Sequence, residues 1–428
     1  MKIKLSGILQ SIIVVWCGLL ITPYGFEYCK ELILAIGVGW IILVLFYWWN
    51  QRIKFGYLLV ILGFYVWEVL LKLTGYSTAA WSYYGIHFLA VVTCIMCFFM
   101  ASNGDKSAWK RVSGAIWIVY LVNFVDNLYL YMKYGEELNI LRSNDTAMVE
   151  NALGRINAGT TLFCYIVALM GVLCFVYFIE VKKVITKLIM FIWYLLSFYF
   201  VAVLMGRGIA TLILLFGSAV VLMIRIYQRV DLQSWWLVMG IICVCILIGL
   251  FCGAEILDFI IPIVFSSISQ RLALKLSNIR DLLAGVSSIF ETRPGDSLTG
   301  RIYMIIMDIR FFFSNIKTIL IGNGFHKQSI PGSVYLAAEA NKASGHSDIF
   351  DALAQYGIIG GIYIGLFIKI VYVWGRQVEL DKQIWTLFII LFILLGLFGN
   401  WFHPSMVAAV LLLLPGKLMS LKGAKNEN

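Results

Sequence analysis

Two arginines and one histidine have the residue types and the settings from which a site for an anionic substrate could be built. Arg207 stands between two glycines where one apolar run ends and the next begins, and Arg301 starts an amphipathic stretch. Guanidinium groups stay charged and match phosphate oxygens with planar pairs of donors. His346 precedes another apolar run, and an imidazole can take a proton from a hydroxyl group near neutral pH. Together these residues predict a site that binds an anion and activates a hydroxyl.

Each of these residues also has a simpler interpretation. Arg207 could extend along its helix until the charge reaches lipid phosphates, and Arg301 could be a solvated charge. A single histidine such as His346 does not establish catalysis without neighbouring groups. Two acids, Glu68 and Asp126, lie inside apolar runs. Because acids are costly inside a membrane, both are candidates to face a polar cavity.

The composition predicts an integral membrane protein. Hydrophobic residues make up 61% of the 428 positions and charged residues 13%, whereas a soluble domain carries about 25% charged residues. The net charge of +10 does not indicate a nucleic-acid partner, because Lys and Arg lie mostly in short loops, where they set membrane topology. The spacing Cys94-x-x-Cys97 lies inside an apolar run and therefore predicts packing rather than metal binding.

The apolar runs are about 17 to 22 residues long, enough to cross a hydrocarbon core of about 30 Å as a helix. They predict an all-α polytopic membrane protein with about twelve transmembrane helices. Inner connections are basic, whereas most outer connections are short and nearly free of Lys and Arg, which predicts that both termini are cytoplasmic. The predicted spans are 5–22, 32–49, 55–73, 84–101, 112–132, 160–179, 187–205, 208–224, 235–254, 357–374, 384–400 and 404–419.

Three regions follow from this pattern: nine transmembrane helices over 1–254, a long extracytoplasmic segment over 255–356, and the last transmembrane helices with a cytoplasmic tail over 357–428. Apolar residues recur at helical spacing over 264–290 and over 301–317. These stretches predict amphipathic helices at the membrane surface or over the mouth of the bundle. The segment between the ninth and tenth spans is therefore expected to be partly helical.

The residues after Gly345 begin polar and run directly into the tenth predicted span. Within that span Gly357, Gly361 and Gly365 recur every fourth residue, a spacing that favours close packing between helices. Such packing would fix the helix that follows His346 against its neighbours.

Several short motifs occur in a fixed order that resembles the O-antigen polymerase and ligase superfamily. The resemblance covers roughly residues 190–375, and the rest of the predicted topology is compatible with it. In that family the first arginine often follows serine and the histidine often precedes asparagine, whereas Gly206 and Ser347 occupy those positions here. The motifs are Gly206-Arg207-Gly208, Gly300-Arg301, Gly322-Asn323-Gly324-Phe325, His346-Ser347 and Gly357-Ile358-Ile359-Gly360.

The resemblance implies a membrane glycosyltransferase that uses no metal or cofactor and acts on undecaprenyl-pyrophosphate-linked glycans. It implies that Arg207 and Arg301 hold the pyrophosphate and that His346 activates or positions the acceptor hydroxyl. Asp348 and Asp351 are then expected to orient His346 or to contact sugar hydroxyls. The active site would lie on the extracytoplasmic face of the bacterial inner membrane, in contact with membrane lipid.

Three functions remain open at this point. The first is a polymerase of O-antigen or capsular repeat units, for which a chain-length regulator is a candidate partner. The second is an O-antigen ligase, which shares the donor and the chemistry but transfers the glycan to lipid A core. The third, from a different class, is a transporter of lipid-linked oligosaccharide, although its polar residues would be expected near the midplane on broken helices.

Overall fold

The computed structural model describes most of the chain, and every regular element in the described part is a helix. Within that part, eight helices are long and apolar enough to cross a membrane. The chain is therefore an all-α polytopic membrane protein. The described residues are 5–22, 30–49, 56–77, 81–102, 105–144, 161–228, 251–267, 270–285, 308–324, 347–377, 380–399 and 401–426, with single positions 240, 244, 248, 305 and 306.

Helices are numbered here in chain order. The predicted ninth span, 235–254, lies largely outside the described residues, so the count of twelve stays a prediction. The helices are α1 (Leu5–Ile21), α2 (Lys30–Trp49), α3 (Gly56–Leu73), α4 (Trp81–Ser102), α5 (Lys106–Asn144), α6 (Thr161–Glu180), α7 (Val184–Phe198, continued as a π-helix over Tyr199–Leu204), α8 (Gly208–Tyr227), α9 (Gly253–Ser267), α10 (Gln270–Leu283), α11 (Ile316–Ile321), α12 (Asp348–Gln377), α13 (Lys382–Phe398), α14 (Pro404–Ala408, continued as a π-helix over Ala409–Leu413) and α15 (Leu414–Asn426).

The last helical run occupies the centre of the bundle. Of residues Pro404–Leu421, 89% are buried, and α4, α5 and α6 all pack against this run. Its π-helical turn shifts the backbone pairing by one residue. Three successive carbonyls there accept side-chain hydrogen bonds from α4 and α5: Leu411 from Cys97, Leu412 from Trp109 and Leu413 from Ser113, at 3.2, 3.2 and 2.8 Å.

The two ends of the bundle differ in which helices start and finish there. At one end, Arg225 pairs with Glu180 and donates to Gln228, whose amide donates to Gln383. At the other end, here called the Asp348 end, α3 and α13 finish while α4, α12 and α14 begin. The charge pattern of the loops predicts that the Asp348 end is extracytoplasmic.

Helix α12 is broken at Gly357, whose backbone has φ 63° and ψ −149°. Only glycine adopts this conformation readily. The loop Gly322–Gly324 docks on the turn before the break: the Asn323 N–H donates to the Ala354 carbonyl at 3.0 Å, and the Gly324 N–H donates to the Gln355 carbonyl at 2.9 Å. The break separates a polar half-helix, 348–356, from the apolar span that follows it.

The long outer segment is helical in part, but its helices divide differently from the predicted ones. The predicted helix over 301–317 is wrong at its C-terminal end: residues 308–312 are helical, a turn follows, and α11 starts anew at Ile316. Asn315 is extended and caps α11 in a reciprocal capping box with Thr318, so local side-chain bonding overrides the apolar periodicity. Asp308, in the helical residues before that turn, is buried, with 2% of its surface exposed.

Close packing at every fourth glycine is confirmed only in part. A β-carbon on Gly357 would lie 2.6 Å from backbone atoms of Leu320, Ile321 and Gly322, and one on Gly361 would lie 2.9 Å from Leu353. A β-carbon on Gly365 would meet no described atom within 4 Å. The first glycine is therefore required for the break, and the third is not a packing contact.

Replacing Gly357 by alanine is expected to destabilise the protein strongly. The backbone conformation alone costs an L-residue on the order of 1–3 kcal/mol, and the added methyl would clash with the 320–322 backbone. The matched control is Gly365→Ala, which should be neutral or stabilising by up to about 1 kcal/mol, because alanine favours a helix over glycine. The unfolding temperatures of the purified proteins in detergent measure both effects. Equal behaviour of the two variants would contradict the assigned break.

Candidate functional site

A cavity lies at the Asp348 end of the bundle, enclosed by α3, α4, α12 and the connection between α13 and α14. Its volume is about 40 Å³, which is room for about three water molecules. The cavity is open on one side and has room for a hydroxyl group. Its polar lining consists of Glu68, His87, Asp348, Asp351, Gln355 and the tyrosines 356 and 363.

The deepest polar feature of the cavity is the pair formed by Glu68 on α3 and His87 on α4. The His87 Nδ1 atom lies 2.9 Å from both carboxylate oxygens of Glu68. Glu68 is 1% exposed, so its charge leaves water on folding and depends on this partner. Of the two acids that the sequence marked inside apolar runs, Glu68 lines the cavity, whereas Asp126 is exposed.

Two aspartates reach the cavity because the first turn of α12 is anchored on both sides. The Asp348 carboxylate accepts the Phe402 N–H at 2.8 Å, while the Asp348 N–H donates to the Gly399 carbonyl at 3.2 Å. The Asp351 carboxylate accepts the Ser347 N–H at 3.0 Å. The Ser347 hydroxyl caps the same turn and donates to the Gly396 carbonyl at 3.3 Å. These bonds fix both carboxylates before any ligand arrives.

Two hydrogen-bond donors of the cavity are unused among the described residues. Gln355 Nε2 and the Tyr363 hydroxyl are buried and have no hydrogen-bond partner within the described ranges. The two residues are 2% and 7% exposed. A buried polar group left without a partner costs on the order of 1–3 kcal/mol, so these two groups are suited to meet an oxygen that enters the cavity.

Aromatic rings close the rest of the cavity. Phe64 stacks on Tyr363 with ring centroids 3.6 Å apart, and Phe402 meets the His87 ring edge-on at 5.7 Å. Trp401 also contributes to the wall. The lining therefore combines carboxylates, an amide and aromatic faces, a combination suited to a ligand with hydroxyl groups on an apolar frame.

Arg207 sits at a different place from these acids. It follows the π-helical end of α7 and Gly206, whose φ is 53°, and it precedes α8, which packs against α6 and α13. Its N–H donates to the Val201 carbonyl at 3.0 Å. Arg207 is not among the described lining residues of the cavity, whereas Asp348 is. The other two predicted site residues, Arg301 and His346, lie outside the described residues.

Sequence reasoning missed His87, Gln355 and Tyr363. A signal existed for the first, since His87 is an ionisable residue inside an apolar run, as Glu68 is. Nothing in the sequence joins these two positions, which are 19 residues apart. Cys94 and Cys97 are buried, as their packing interpretation predicted. Within the described ranges, no group of three or more His, Cys, Asp or Glu is arranged to hold a metal ion.

His403 lies beside the site and caps α14, with Nδ1 accepting the Ser405 N–H at 3.4 Å. Burial, and to a smaller extent the nearby His87, lower the pKa of His403 to about 4. An unfolded histidine titrates near about 6.5. The unfolded chain therefore binds more protons between these values, and the contribution of His403 to stability is complete above about pH 6.5 and is lost as the pH falls toward 4.

The variant His403→Asn is expected to flatten the dependence of stability on pH between about 6.5 and 4. Asparagine is a good helix N-cap but does not titrate in this range, so it keeps the cap and removes the proton linkage. Unfolding temperatures measured at half-unit pH intervals in detergent test this expectation. An unchanged slope in the variant would show that other groups govern the acid sensitivity.

Comparison with known proteins assigns no family and no function to this chain. No protein-family model matches the chain, and no curated protein matches it.

Proposed function

We propose that this chain is a glycosyltransferase that polymerises undecaprenyl-pyrophosphate-linked oligosaccharide repeat units in O-antigen or capsular polysaccharide synthesis. One observation carries the proposal. Two motifs of the resemblance that lie far apart in sequence, Gly322–Gly324 and the segment around Gly357, form one unit through backbone hydrogen bonds. That unit adjoins an acid-lined cavity that includes Asp348, two residues after the predicted catalytic histidine.

The proposed reaction transfers a glycan from one lipid carrier to another unit. The acceptor hydroxyl oxygen attacks the anomeric carbon of the donor, the bond from that carbon to the pyrophosphate oxygen breaks, and undecaprenyl pyrophosphate leaves with the bonding electrons. Arg207 and Arg301 would bind the pyrophosphate and stabilise the growing negative charge. His346 would activate or position the acceptor hydroxyl, and Asp348 would contact the acceptor sugar.

The proposed location follows from the lipid-linked substrate and from the charge pattern of the loops. We place the protein in the bacterial inner membrane, with both termini cytoplasmic and the Asp348 end extracytoplasmic. A chain-length regulator is a proposed partner on that face. An O-antigen ligase would use the same donor and site, and would differ only in accepting a lipid A core sugar.

A lipid-linked oligosaccharide transporter is the second candidate, and a specific observation favours it. Helix α12 is broken at Gly357, and Glu68 and His87 form a buried ionisable pair inside the bundle. Transporters use broken helices and intramembrane ionisable residues for binding and coupling. This candidate predicts movement of substrate across the membrane without any change in glycan length.

Purified protein in lipid vesicles is expected to extend lipid-linked repeat units supplied without nucleotide sugar. Each transfer should release one undecaprenyl pyrophosphate, because the donor provides both the sugar and the leaving group. Gel separation of the glycans and quantification of the released carrier measure the two products. Transport of intact units with no chain growth would replace the polymerase proposal by the transporter.

The same assay tests the roles of His346 and Arg301 through single substitutions. Replacing His346 by alanine is expected to lower the rate on the order of 10²- to 10⁴-fold where the histidine takes the proton of the acceptor hydroxyl, and by less where it only positions that hydroxyl. Arg301→Lys should lower it at least about tenfold, since lysine keeps the charge but lacks the planar pair of donors. The matched control is Arg376→Lys at the far end of α12, which should be fully active. Normal activity of Arg301→Lys would contradict the pyrophosphate contact.

A further inference from the structure

The proposed function leaves four polar groups of the cavity without a role. Glu68, His87, Gln355 and Tyr363 line the same small space as Asp348, and none of them belongs to a motif of the resemblance. Their donors and acceptors indicate which chemical group the cavity would bind.

The Glu68–His87 pair is built to accept a proton. Glu68 holds the Nδ1 atom of His87 at 2.9 Å through both carboxylate oxygens. This contact fixes the orientation of the ring, so His87 would take up a proton at Nε2. The carboxylate also stabilises the imidazolium that results. A buried acid next to a histidine within a helical membrane bundle is costly, and such pairs mark functional sites.

The same cavity also has hydrogen-bond donors in its lining. Gln355 Nε2 and the Tyr363 hydroxyl have no hydrogen-bond partner among the described residues, and both side chains are more than nine-tenths buried. An entering hydroxyl oxygen can accept from these groups while its own proton points to an acceptor. One hydroxyl group thus complements both the donors and the proton acceptor.

The size of the cavity suits the same ligand. A volume of about 40 Å³ has room for a hydroxyl or hydroxymethyl group, and Phe64 and Trp401 in its lining provide apolar surface beside it. A sugar would then lie at the open side of the cavity with one hydroxyl group turned inward, so that the hydroxyl oxygen stays within reach of the donor's anomeric carbon.

We propose that this cavity is the subsite for the acceptor hydroxyl, and that His87, held by Glu68, is the base that takes its proton. This inference rests on the proposed function and leaves His346 the task of positioning the acceptor. The hydroxyl proton passes to His87 Nε2, and the oxygen forms the new bond to the anomeric carbon. The carbon–oxygen bond to pyrophosphate breaks, and undecaprenyl pyrophosphate carries away the electron pair.

The test compares His87→Ala, Glu68→Gln and Tyr363→Phe with wild-type protein in the vesicle assay, using lipid-linked repeat units from the producing bacterium. His87→Ala should reduce kcat on the order of 10²- to 10⁴-fold, while the Kd for the lipid-linked unit stays within about twofold. Added imidazole should restore at least about tenfold of that loss, because a free base can enter the space left by the ring. A merely structural role for His87 would not give this rescue.

The other variants keep the inference testable if His87→Ala does not fold. Glu68→Gln should also lower kcat more than about tenfold, because the amide cannot stabilise the imidazolium. Tyr363→Phe should raise KM about 2- to 10-fold with little change in kcat, since it removes one hydrogen bond to the bound hydroxyl. The matched control is Glu31→Gln in the first turn of α2, an exposed acid outside the cavity, which should match wild type.

The outcomes separate this inference from the proposed function. If wild-type protein extends no glycan, the proposed function fails. If wild-type protein is active and the His87 and Glu68 variants stay within about twofold of it, the subsite is wrong and the polymerase stands. A large loss in His87→Ala that imidazole does not relieve overturns the assignment of His87 as the base.

Discussion

The break at Gly357 is the constraint on which the arrangement of the site depends. A backbone conformation open only to glycine interrupts α12, and the turn before the break then needs partners inside a bundle where water is scarce. The Gly322–Gly324 loop supplies them with two backbone N–H groups. A β-carbon on Gly322 would lie 2.1 Å from the Gln355 backbone, so the docking requires glycine on both sides. The acid-bearing half-helix is held next to α3 and α4 as a consequence.

The need of backbone groups for hydrogen-bond partners also explains the contacts at the centre of the bundle. The π-helical turn in the last helical run leaves successive carbonyls to accept bonds from a thiol, an indole and a hydroxyl on neighbouring helices. A second π-helical turn, Tyr199–Leu204, ends α7 just before Arg207. There the Val201 carbonyl accepts the Arg207 N–H at 3.0 Å, so in both places carbonyls outside the α-helical pairing still have a donor, as a low-dielectric interior demands.

The sequence predicted the helical class and most span positions, because runs of about twenty apolar residues leave few alternatives to a membrane helix. It also marked Glu68 as an acid in an apolar run. It did not predict the partner His87, because pairing between two helices depends on their rotation and depth, which apolar runs of nearly uniform hydropathy do not encode. The spacing of Gly357, Gly361 and Gly365 predicts close helix packing and not a break at Gly357. Spacing alone does not distinguish a glycine needed for its positive φ from one needed for close contact. Likewise, the apolar periodicity over 301–317 predicts one continuous helix, whereas capping by Asn315 starts a new helix at Ile316.

On the proposed function, the separation of charges in the molecule has a chemical reason. A pyrophosphate leaving group carries negative charge that grows as the bond to the anomeric carbon breaks, so it cannot share a small cavity with carboxylates. Glu68, Asp348 and Asp351 line one cavity, whereas Arg207 begins α8 beside α6 and α13. Carboxylates favour the acceptor, whose hydroxyl group must lose a proton. Guanidinium groups favour the donor, whose pyrophosphate must take up the electron pair. An acceptor bound at the acids and a donor bound at the arginines would each meet the charge that its half of the reaction requires, with the new bond forming between the two sites.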